Sequence, residues 1–174
     1  ILGASRRESL GLPDAKLSVV PEHKDPMVEA IRRLRPRVVL LQHWEQRHPD
    51  HAAASRIVYD ACFLAGLRSY RPDLGPAFRP RKLAYAVTMT EANDLAPTFV
   101  VDVTSFWETK LRAVSAFVSQ FTPAPGETGT LPLDRFKEAV ELSGRRHGQR
   151  IGVRYGEGFV TREPLAVDDV VGLA

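Results

Sequence analysis

The sequence predicts a three-layer α/β domain, with helices on both faces of a mainly parallel sheet. Segments of strand character alternate with segments of helical periodicity along the chain, and short connections join them. The apolar run Val38–Leu41 also has the continuous hydrophobicity of a strand that is buried on both faces. At 174 residues the chain is long enough for one sizeable core, so a single domain over residues 1–174 is expected.

The N-terminal part is predicted to contain one extended segment and one helix. Glu8–Leu12 has strand character. Asp25 and Pro26 predict a helix start, because Asp is favoured at the cap and Pro at the first helical position. This helix is expected to end before Pro36, since proline restricts the residue in front of it.

The middle of the chain is predicted to contain three strands and one long helix. Residues 37–42 form the apolar strand, and a helix with alanine, isoleucine and valine along one side follows from about residue 51 to residue 66. Residues 83–88 and 98–103 have the composition of two further strands.

Two helices are predicted in the C-terminal third. Ser105 and Glu108 have the spacing of a capping box, which predicts a helix whose apolar stripe runs from Trp107 to Phe121. Pro132 predicts the start of a second helix, which extends to about residue 147 and precedes a strand-like tail.

Composition and charge argue against several classes of protein. The net charge of +3 is small and its arginines are scattered, so we expect no nucleic-acid partner. The single cysteine, Cys62, excludes an intramolecular disulfide and a cysteine-rich zinc site, and its apolar neighbours predict a buried thiol. Without an apolar run of about 18 residues or a signal-type leader, we expect no membrane association and a cytoplasmic location.

A polar loop after the apolar strand is the candidate functional site. The run His48-Pro49-Asp50-His51 brings two imidazoles and a carboxylate together just before a helix. In open α/β sheets ligands bind beyond the carboxyl ends of strands, where this loop lies. Imidazole is a common zinc ligand, and a carboxylate can orient an imidazole by accepting its second ring proton.

The residues alone leave simpler interpretations open. Asp50 could only cap the following helix, while His48 and His51 could be ordinary surface residues of a polar loop. His43 could be a third ligand from the same loop, or a structural residue at the end of the apolar strand. The motif by itself therefore supports a metal or acid–base site and a plain helix start equally.

Longer stretches of the sequence resemble a known family of enzymes. Residues 47–54, which follow the Val38–Leu41 strand, resemble the second conserved block of the PIG-L/LmbE-like zinc-dependent N-acetylglucosamine deacetylases. Further stretches are similar to the bacillithiol-biosynthesis branch of that family. These stretches are Glu8–Asp14, Phe99–Val103, Ser119–Phe121 and Ile151–Phe159.

The resemblance implies Zn²⁺ as cofactor and roles for five residues. His51 would be a zinc ligand, and His48 would steady the oxyanion of the tetrahedral intermediate and protonate the leaving amine. Asp50 would orient His48. Arg47 would contact the anionic malate end of a substrate, because a guanidinium binds a carboxylate through two hydrogen bonds. Tyr155 would be a substrate-binding residue in the branch-typical tail, although a structural turn is the alternative there.

One block of the family has no counterpart in the sequence. The Ala-His-Pro-Asp-Asp segment that supplies the other zinc ligands and the general base is not found. We therefore expect an N-terminally truncated, Rossmann-like (LmbE-like) domain without its first strands. These 174 residues alone are expected to be inactive and to hold zinc poorly.

The resemblance implies a function for the full-length protein. The protein would be a zinc-dependent deacetylase of an N-acetylglucosamine conjugate, a small-molecule substrate for which N-acetylglucosaminyl-malate is the first candidate. The family also implies a homo-oligomer, a trimer or a hexamer. The alternatives are a deacetylase of another N-acetylglucosamine or thiol S-conjugate, and a non-catalytic relative that acts as a binding module.

Overall fold

The fold was analysed in a computed structural model that describes residues 1–87, 95–122 and 131–173. Helices and strands alternate, as predicted for the α/β class. The helices are α1 (Pro21–Leu34), α2 (Pro49–Ala65), α3 (Trp107–Ser115), α4 (Val118–Phe121) and α5 (Leu133–Arg150). The strands are β1 (Val38–Gln42), β2 (Lys82–Ala86), β3 (Phe99–Asp102) and β4 (Gly156–Val160). None of the helices in these ranges combines the length and apolar character that crossing a bilayer requires.

The chain divides into two compact units. The β1–α2 unit consists of Leu12–Ala86 together with the chain from Phe159 onwards. The β3–α5 unit consists of Ile1–Gly11 and Val87–Gly158. Strand β4 contributes its first residues to the β3–α5 unit and its last two to the β1–α2 unit.

The strands of the β1–α2 unit form a mixed sheet. β1 pairs in parallel with β2 in a register that sets Val38 opposite Lys82. The end of β4 runs antiparallel to β2, with Val160 opposite Tyr85. Because β1 and β2 are parallel and in register along their whole length, their carboxyl ends meet at one edge of the sheet. The strand order in this unit is β1-β2-β4, and in the other unit β4 lies beside β3.

The core of the β1–α2 unit lies between α1 and α2. Val28 and Ile31 of α1 are buried against Ala61, Cys62 and Ala65 of α2. Burial raises the pKa of the Cys62 thiol to about 12, so this side chain remains a protonated, apolar core residue. The predicted buried thiol is confirmed.

A buried arginine joins α1 to the segment that follows α2. The side chain of Arg32 is 2% exposed and donates five hydrogen bonds of 2.6–3.1 Å, all to main-chain carbonyls. The acceptors are the carbonyl oxygens of Ala65, Leu67, Tyr70, Arg71 and Gly75. The guanidinium thereby adds side-chain donors to carbonyl oxygens at the end of α2 and in the loop beyond it. Three of these oxygens, those of Ala65, Leu67 and Arg71, also accept a main-chain N–H.

The predicted start of α1 is wrong. The helix begins at Pro21, which takes the first-turn position that suits proline, and Pro26 lies inside the helix. The carboxylate of Asp25 does not cap the helix. It accepts a 2.6 Å hydrogen bond from the Tyr70 hydroxyl and pairs with Arg71. A partner 45 residues away in sequence thus uses the group that the local pattern assigned to a cap.

Other helix boundaries follow the sequence signals closely. α1 ends at Leu34, before Pro36, as predicted. α2 begins at Pro49, two residues earlier than expected, and Gly66 follows its last residue. Pro132 directly precedes α5, which continues three residues beyond the predicted end.

The predicted capping box at Ser105 is not formed. α3 begins only at Trp107, after a 3₁₀ turn, and no side chain caps it. Asp102 at the end of β3 accepts the N–H of Thr104 at 2.9 Å instead, and so organises the turn one step earlier in the chain. Hydrogen bonds from the Thr104 side chain and from its main-chain N–H lower the Asp102 pKa.

The apolar stripe predicted for this region is only partly buried. Trp107 is 3% exposed and packs with Val140 and Tyr155 in the core of the β3–α5 unit, with Leu111 against them. Val118 is 65% exposed because α3 ends before it. The predicted stripe therefore begins with a core residue, Trp107, and its later part, at Val118, lies on the surface.

The strand predicted at residues 8–12 is also wrong. The backbone there has no regular structure, and Gly11 has a φ of +65°, which interrupts an extended chain. The N–H of Gly11 bonds the Ser9 hydroxyl oxygen at 3.4 Å. This segment is a loop of the β3–α5 unit.

The role of Arg32 can be tested by removing its charge and its donors. We expect Arg32→Met to lower the free energy of unfolding by on the order of 3 kcal/mol, because the five hydrogen bonds of a buried guanidinium are lost. Arg68→Met, at an exposed position after α2, is the control and should change stability by less than about 0.5 kcal/mol. Urea unfolding followed by circular dichroism measures both variants. Equal stabilities would show that water replaces the guanidinium without cost.

Candidate active site

The candidate site lies where β1 ends and α2 begins. Gln42 is the last residue of β1, and six residues separate it from Pro49 at the start of α2. Ser55, one turn into the helix, donates a 2.8 Å hydrogen bond from its hydroxyl to the Gln42 carbonyl oxygen. This bond fixes the helix to the strand end, so the intervening loop, residues 43–48, is held at both ends.

His48 is the N-cap of α2. Its backbone is extended, and its Nδ1 accepts the N–H of Asp50 at 3.1 Å, which satisfies one of the free donors of the first turn. A neutral imidazole that accepts at Nδ1 carries its proton on Nε2. The cap therefore fixes the tautomer of His48 and leaves a single N–H donor at the far side of an exposed ring.

Asp50 contacts His48 through its main chain. Its side chain is 8% exposed, and the carboxylate oxygen Oδ1 accepts the N–H of Leu17 at 3.2 Å. This bond ties the start of α2 to a segment 33 residues earlier in the chain. A carboxylate in the first turn also interacts favourably with the positive end of the helix dipole.

His51 lies beside His48 on the surface of the first turn. Their ring centroids are 4.9 Å apart and their planes differ by 29°, so the rings are stacked. Arg47, the residue before the cap, is exposed as well. The structure therefore brings Arg47, His48, Asp50 and His51 together in one turn, with three exposed side chains and one buried carboxylate.

His43 occupies a structural position in the same loop. It is fully buried, its Nδ1 accepts the N–H of Glu45 at 3.1 Å, and its ring centroid is 3.8 Å from that of Trp44. Burial lowers the pKa of His43, and the positive charge of Arg162 acts in the same direction. A buried neutral imidazole that orders the loop fits the structural interpretation better than the ligand interpretation.

An arginine at the end of β4 forms a cluster that the sequence analysis missed. The guanidinium carbon of Arg162 lies 4.3 Å from the ring centroid of Trp44, 4.7 Å from that of Tyr59 and 5.4 Å from that of Tyr85. We call these four residues the Arg162 cluster. Trp44 belongs to the loop that carries His48, so the cluster borders the candidate site. Its members are spread from residue 44 to residue 162, and no local pattern signals their contact.

Tyr155 lies in the β3–α5 unit and is 5% exposed. Its ring stacks on Trp107 with a centroid distance of 4.0 Å, and its hydroxyl donates to a carboxylate oxygen of Glu141 at 3.1 Å. Hydrogen bonds from Arg145 and from this hydroxyl lower the Glu141 pKa. The substrate role implied for Tyr155 stays a prediction, and its contacts within the unit are those of a core residue.

The donors in the described part of the chain do not fit a zinc site by themselves. No group of three or more His, Cys, Asp or Glu side chains that could hold a metal ion occurs among the described residues. His51 can offer one nitrogen, the Nδ1 of His48 is engaged by Asp50, and His43 is buried. Catalytic zinc normally takes three protein ligands, so this turn supplies only part of such a set.

The buried His43 predicts a loss of stability in acid. Its pKa is lowered in the folded state, so between about pH 6.5 and that lower value the unfolded chain binds a proton that the folded chain does not. The free energy of unfolding should therefore fall as the pH drops from 7.5 to 5.5. His147, buried in the other unit with a lowered pKa, should act in the same sense.

Substitution at His43 isolates its share of this pH dependence. His43→Asn keeps an acceptor for the Glu45 N–H but cannot titrate, so the difference in stability between pH 7.5 and 5.5 should shrink. His23→Asn, at a partly exposed histidine of α1, is the control and should leave the wild-type difference. Urea unfolding at the two pH values measures it. An unchanged difference in His43→Asn would mean that the ring is protonated in the folded protein.

Sequence comparison connects the chain to known deacetylases. Residues 1–62 match the sequence model of the PIG-L family, described as GlcNAc-PI de-N-acetylase. A diacetylchitobiose deacetylase of Thermococcus kodakarensis is 31% identical over 91% of this chain and 57% of its own length. A 1D-myo-inositol 2-acetamido-2-deoxy-alpha-D-glucopyranoside deacetylase of Rhodococcus opacus is 30% identical over 74% of this chain and 56% of its own. The chain thus spans a little more than half the length of these relatives.

Solved structures share the fold. A conserved protein of Thermus thermophilus superposes with a TM-score of 0.74 at 35% identity, over 90% of this chain and 65% of that one. N,N'-diacetylchitobiose deacetylase from Pyrococcus horikoshii gives 0.69 at 22% identity, over 85% and 54% of the two chains. The 4-carboxy-2-hydroxymuconate hydratase of Pseudomonas putida KT2440 gives 0.70 at 17% identity, over 91% and 65%. At such low identity the last two matches speak for the fold alone.

These comparisons confirm the predicted α/β fold, whose structural neighbours include LmbE-like deacetylases. The residues matched by the family model include β1 and the whole His48–His51 turn. The sequence similarity is therefore to the PIG-L family model over residues 1–62 and to two deacetylases over most of this chain.

Proposed function

We propose that the protein is a deacetylase that hydrolyses the N-acetyl amide of N-acetylglucosamine-containing substrates to acetate and a free amine. The observation that carries the proposal is the helix-capping contact of His48, which leaves an N–H donor on an exposed ring beside a second exposed imidazole. Relatives described as deacetylases of diacetylchitobiose and of an inositol-linked 2-acetamido sugar support this class of substrate.

His48 acts on the charge that develops during amide hydrolysis. Addition of water to the acetyl carbonyl gives a tetrahedral intermediate with a negatively charged oxygen, and the Nε2–H of His48 donates a hydrogen bond to it. When the C–N bond breaks, the leaving nitrogen takes the proton that the general base removed from water, because a neutral His48 that gave up its Nε2 proton would become an imidazolate. A preorganised donor of this kind contributes about 10²–10³ in rate.

Asp50 and Arg47 support this role. The main-chain N–H of Asp50 holds the ring of His48, and its carboxylate anchors the turn through Leu17. Arg47 is exposed next to the cap and can bind the anionic end of a substrate through two hydrogen bonds. An arginine in this position favours an anionic conjugate such as N-acetylglucosaminyl-malate over neutral conjugates.

Zinc is the cofactor that we propose for this chemistry, with His51 as one of its ligands. A zinc ion polarises the acetyl carbonyl and lowers the pKa of bound water towards about 7. No group of three possible metal ligands occurs among the described residues. The further zinc ligands and the general base would therefore have to come from other residues of the protein. The structure of this turn is compatible with one contributed nitrogen.

Two histidine variants of the full-length protein separate the proposed roles. His51→Ala should lose metal, because a ligand is removed. His48→Ala should retain metal and lower kcat by about 10²-fold, because its hydrogen bond is made to the transition state. Metal content by mass spectrometry and acetate release from N-acetylglucosaminyl-malate and diacetylchitobiose measure the two effects.

A matched variant separates catalysis from helix capping. His48→Asn retains a side-chain acceptor for the Asp50 N–H, since asparagine is a favoured N-cap, but it carries no donor at the position of Nε2. It should fold as stably as wild type and still lose kcat. If His48→Ala lost metal while His51→Ala retained it, the assignment of the two rings would be reversed. Full activity in His48→Asn would reduce this histidine to a cap.

The chain of 174 residues alone offers a second test. We expect it to bind zinc weakly and to release no acetate, because a single imidazole cannot replace a three-ligand site. Calorimetric titration with zinc and an acetate assay measure both properties. Tight one-to-one binding together with turnover would mean that His43, His48 and His51 form a self-sufficient site, which the buried position of His43 argues against.

A further inference from the structure

The guanidinium of the Arg162 cluster is held by aromatic rings. Trp44, Tyr59 and Tyr85 surround it at 4.3–5.4 Å, and the ring of Tyr85 meets that of Trp44 edge-on at 4.9 Å. Contact with ring faces stabilises a cation and restricts the rotamers of a long side chain. Arg162 is nevertheless exposed, so N–H groups at the edge of the guanidinium can reach solvent.

Arg162 forms no ion pair with a carboxylate in the described part of the chain. The hydroxyl of Tyr85 is buried without a hydrogen-bond partner in the described part of the chain. Burial raises the pKa of Tyr85 to about 12, so this hydroxyl remains protonated. An exposed guanidinium without a carboxylate partner can bind an oxyanion through its planar donor edge.

The cluster is connected to the candidate site by the loop after β1. Trp44 lies four residues before His48, and Tyr59 belongs to α2, the helix that His48 caps. The loop that carries His48 therefore also supplies one ring of the Arg162 cluster. The part of the substrate that would reach the cluster is the aglycone, the group attached to the sugar.

We propose that Arg162 binds an oxyanion, a carboxylate or a phosphate, on the aglycone and makes the enzyme selective for anionic N-acetylglucosamine conjugates. This inference rests on the proposed function and adds a second arginine to Arg47. The aromatic rings position the guanidinium, and its planar donor edge binds the oxyanion through two hydrogen bonds. A purely structural Arg162 would hold β4 to the loop but would not discriminate between charged and neutral ligands.

Binding of the isolated anion tests the proposal without any turnover. The full-length protein is titrated with L-malate and, separately, with inorganic phosphate, and tryptophan fluorescence reports binding at Trp44. We expect saturable binding of at least one of the two, weakened tenfold or more in Arg162→Gln. Arg162→Lys keeps the charge without the planar fork and should be intermediate. Arg68→Gln is the control for a lost surface charge and should bind as wild type does.

Two further variants identify the location of the signal. The chain has two tryptophans, so Trp44→Phe should abolish the fluorescence change if the anion binds at the cluster. If Arg47→Gln abolishes binding and Arg162→Gln leaves it unchanged, the oxyanion belongs to Arg47 and the proposal is overturned. Failure of both malate and phosphate to bind wild type overturns it too. Thermal unfolding of Arg162→Gln verifies that the variant is folded.

Steady-state kinetics then show whether Arg162 selects anionic substrates or only packs against the aromatic rings. In Arg162→Gln the KM for N-acetylglucosaminyl-malate should rise tenfold or more with kcat within about twofold of wild type, and the KM for neutral diacetylchitobiose should not change. An equal rise for both substrates would assign Arg162 a packing role only. If wild type releases no acetate from any conjugate while anion binding still depends on Arg162, the proposed function fails and the anion site stands.

Discussion

The hydrogen bond from the Asp50 N–H to Nδ1 of His48 is the contact on which the candidate site depends. It starts α2, fixes the tautomer of the ring and directs the remaining ring proton outward. Serine, threonine, asparagine and aspartate are the usual N-caps, and each could start the helix without offering a ring donor. A histidine in this position combines a structural and a chemical task in one side chain. The bond from Leu17 to the Asp50 carboxylate and the bond from Ser55 to the strand end hold the same turn from two sides.

The elements that sequence reasoning located correctly are those with strong local signals. β1 lies in a continuous apolar run, Gly66 follows the last residue of α2 and Pro132 precedes α5, so short-range rules suffice for these elements. The errors at Asp25 and at the Ser105 capping box have a common cause, since a competing partner takes the group or organises the turn earlier. The partner of Asp25 is set by tertiary packing, which no short window of sequence contains, whereas the bond from Thr104 to Asp102 is local and organises the turn before the predicted cap.

In the candidate site, too, the features that could be predicted are those formed by residues adjacent in sequence. The His48–His51 turn was identified because its residues are adjacent and follow a continuous apolar run. The prediction that this run is buried on both faces is wrong, since Val38 and Leu40 are 52% and 64% exposed and only Leu41 is buried. The anchoring of Asp50 by Leu17 and the packing of Arg162 on three rings could not be predicted, because these contacts join distant parts of the chain. The hydratase from Pseudomonas putida also shows that this fold serves other chemistry, so function has to be argued from the loop rather than from the sheet.

The buried Arg32 has a consequence for how the β1–α2 unit responds to its surroundings. Its partners are five main-chain carbonyl oxygens, which do not titrate between strongly acidic and strongly basic pH. A guanidinium paired with carboxylates would lose its partners in acid and would be weakened by salt at the surface. The hydrogen bonds of Arg32 go only to carbonyl oxygens, which acid does not protonate and which no carboxylate has to supply. The junction between α1 and the segment after α2 therefore keeps these five contacts at a pH where surface carboxylates are neutralised.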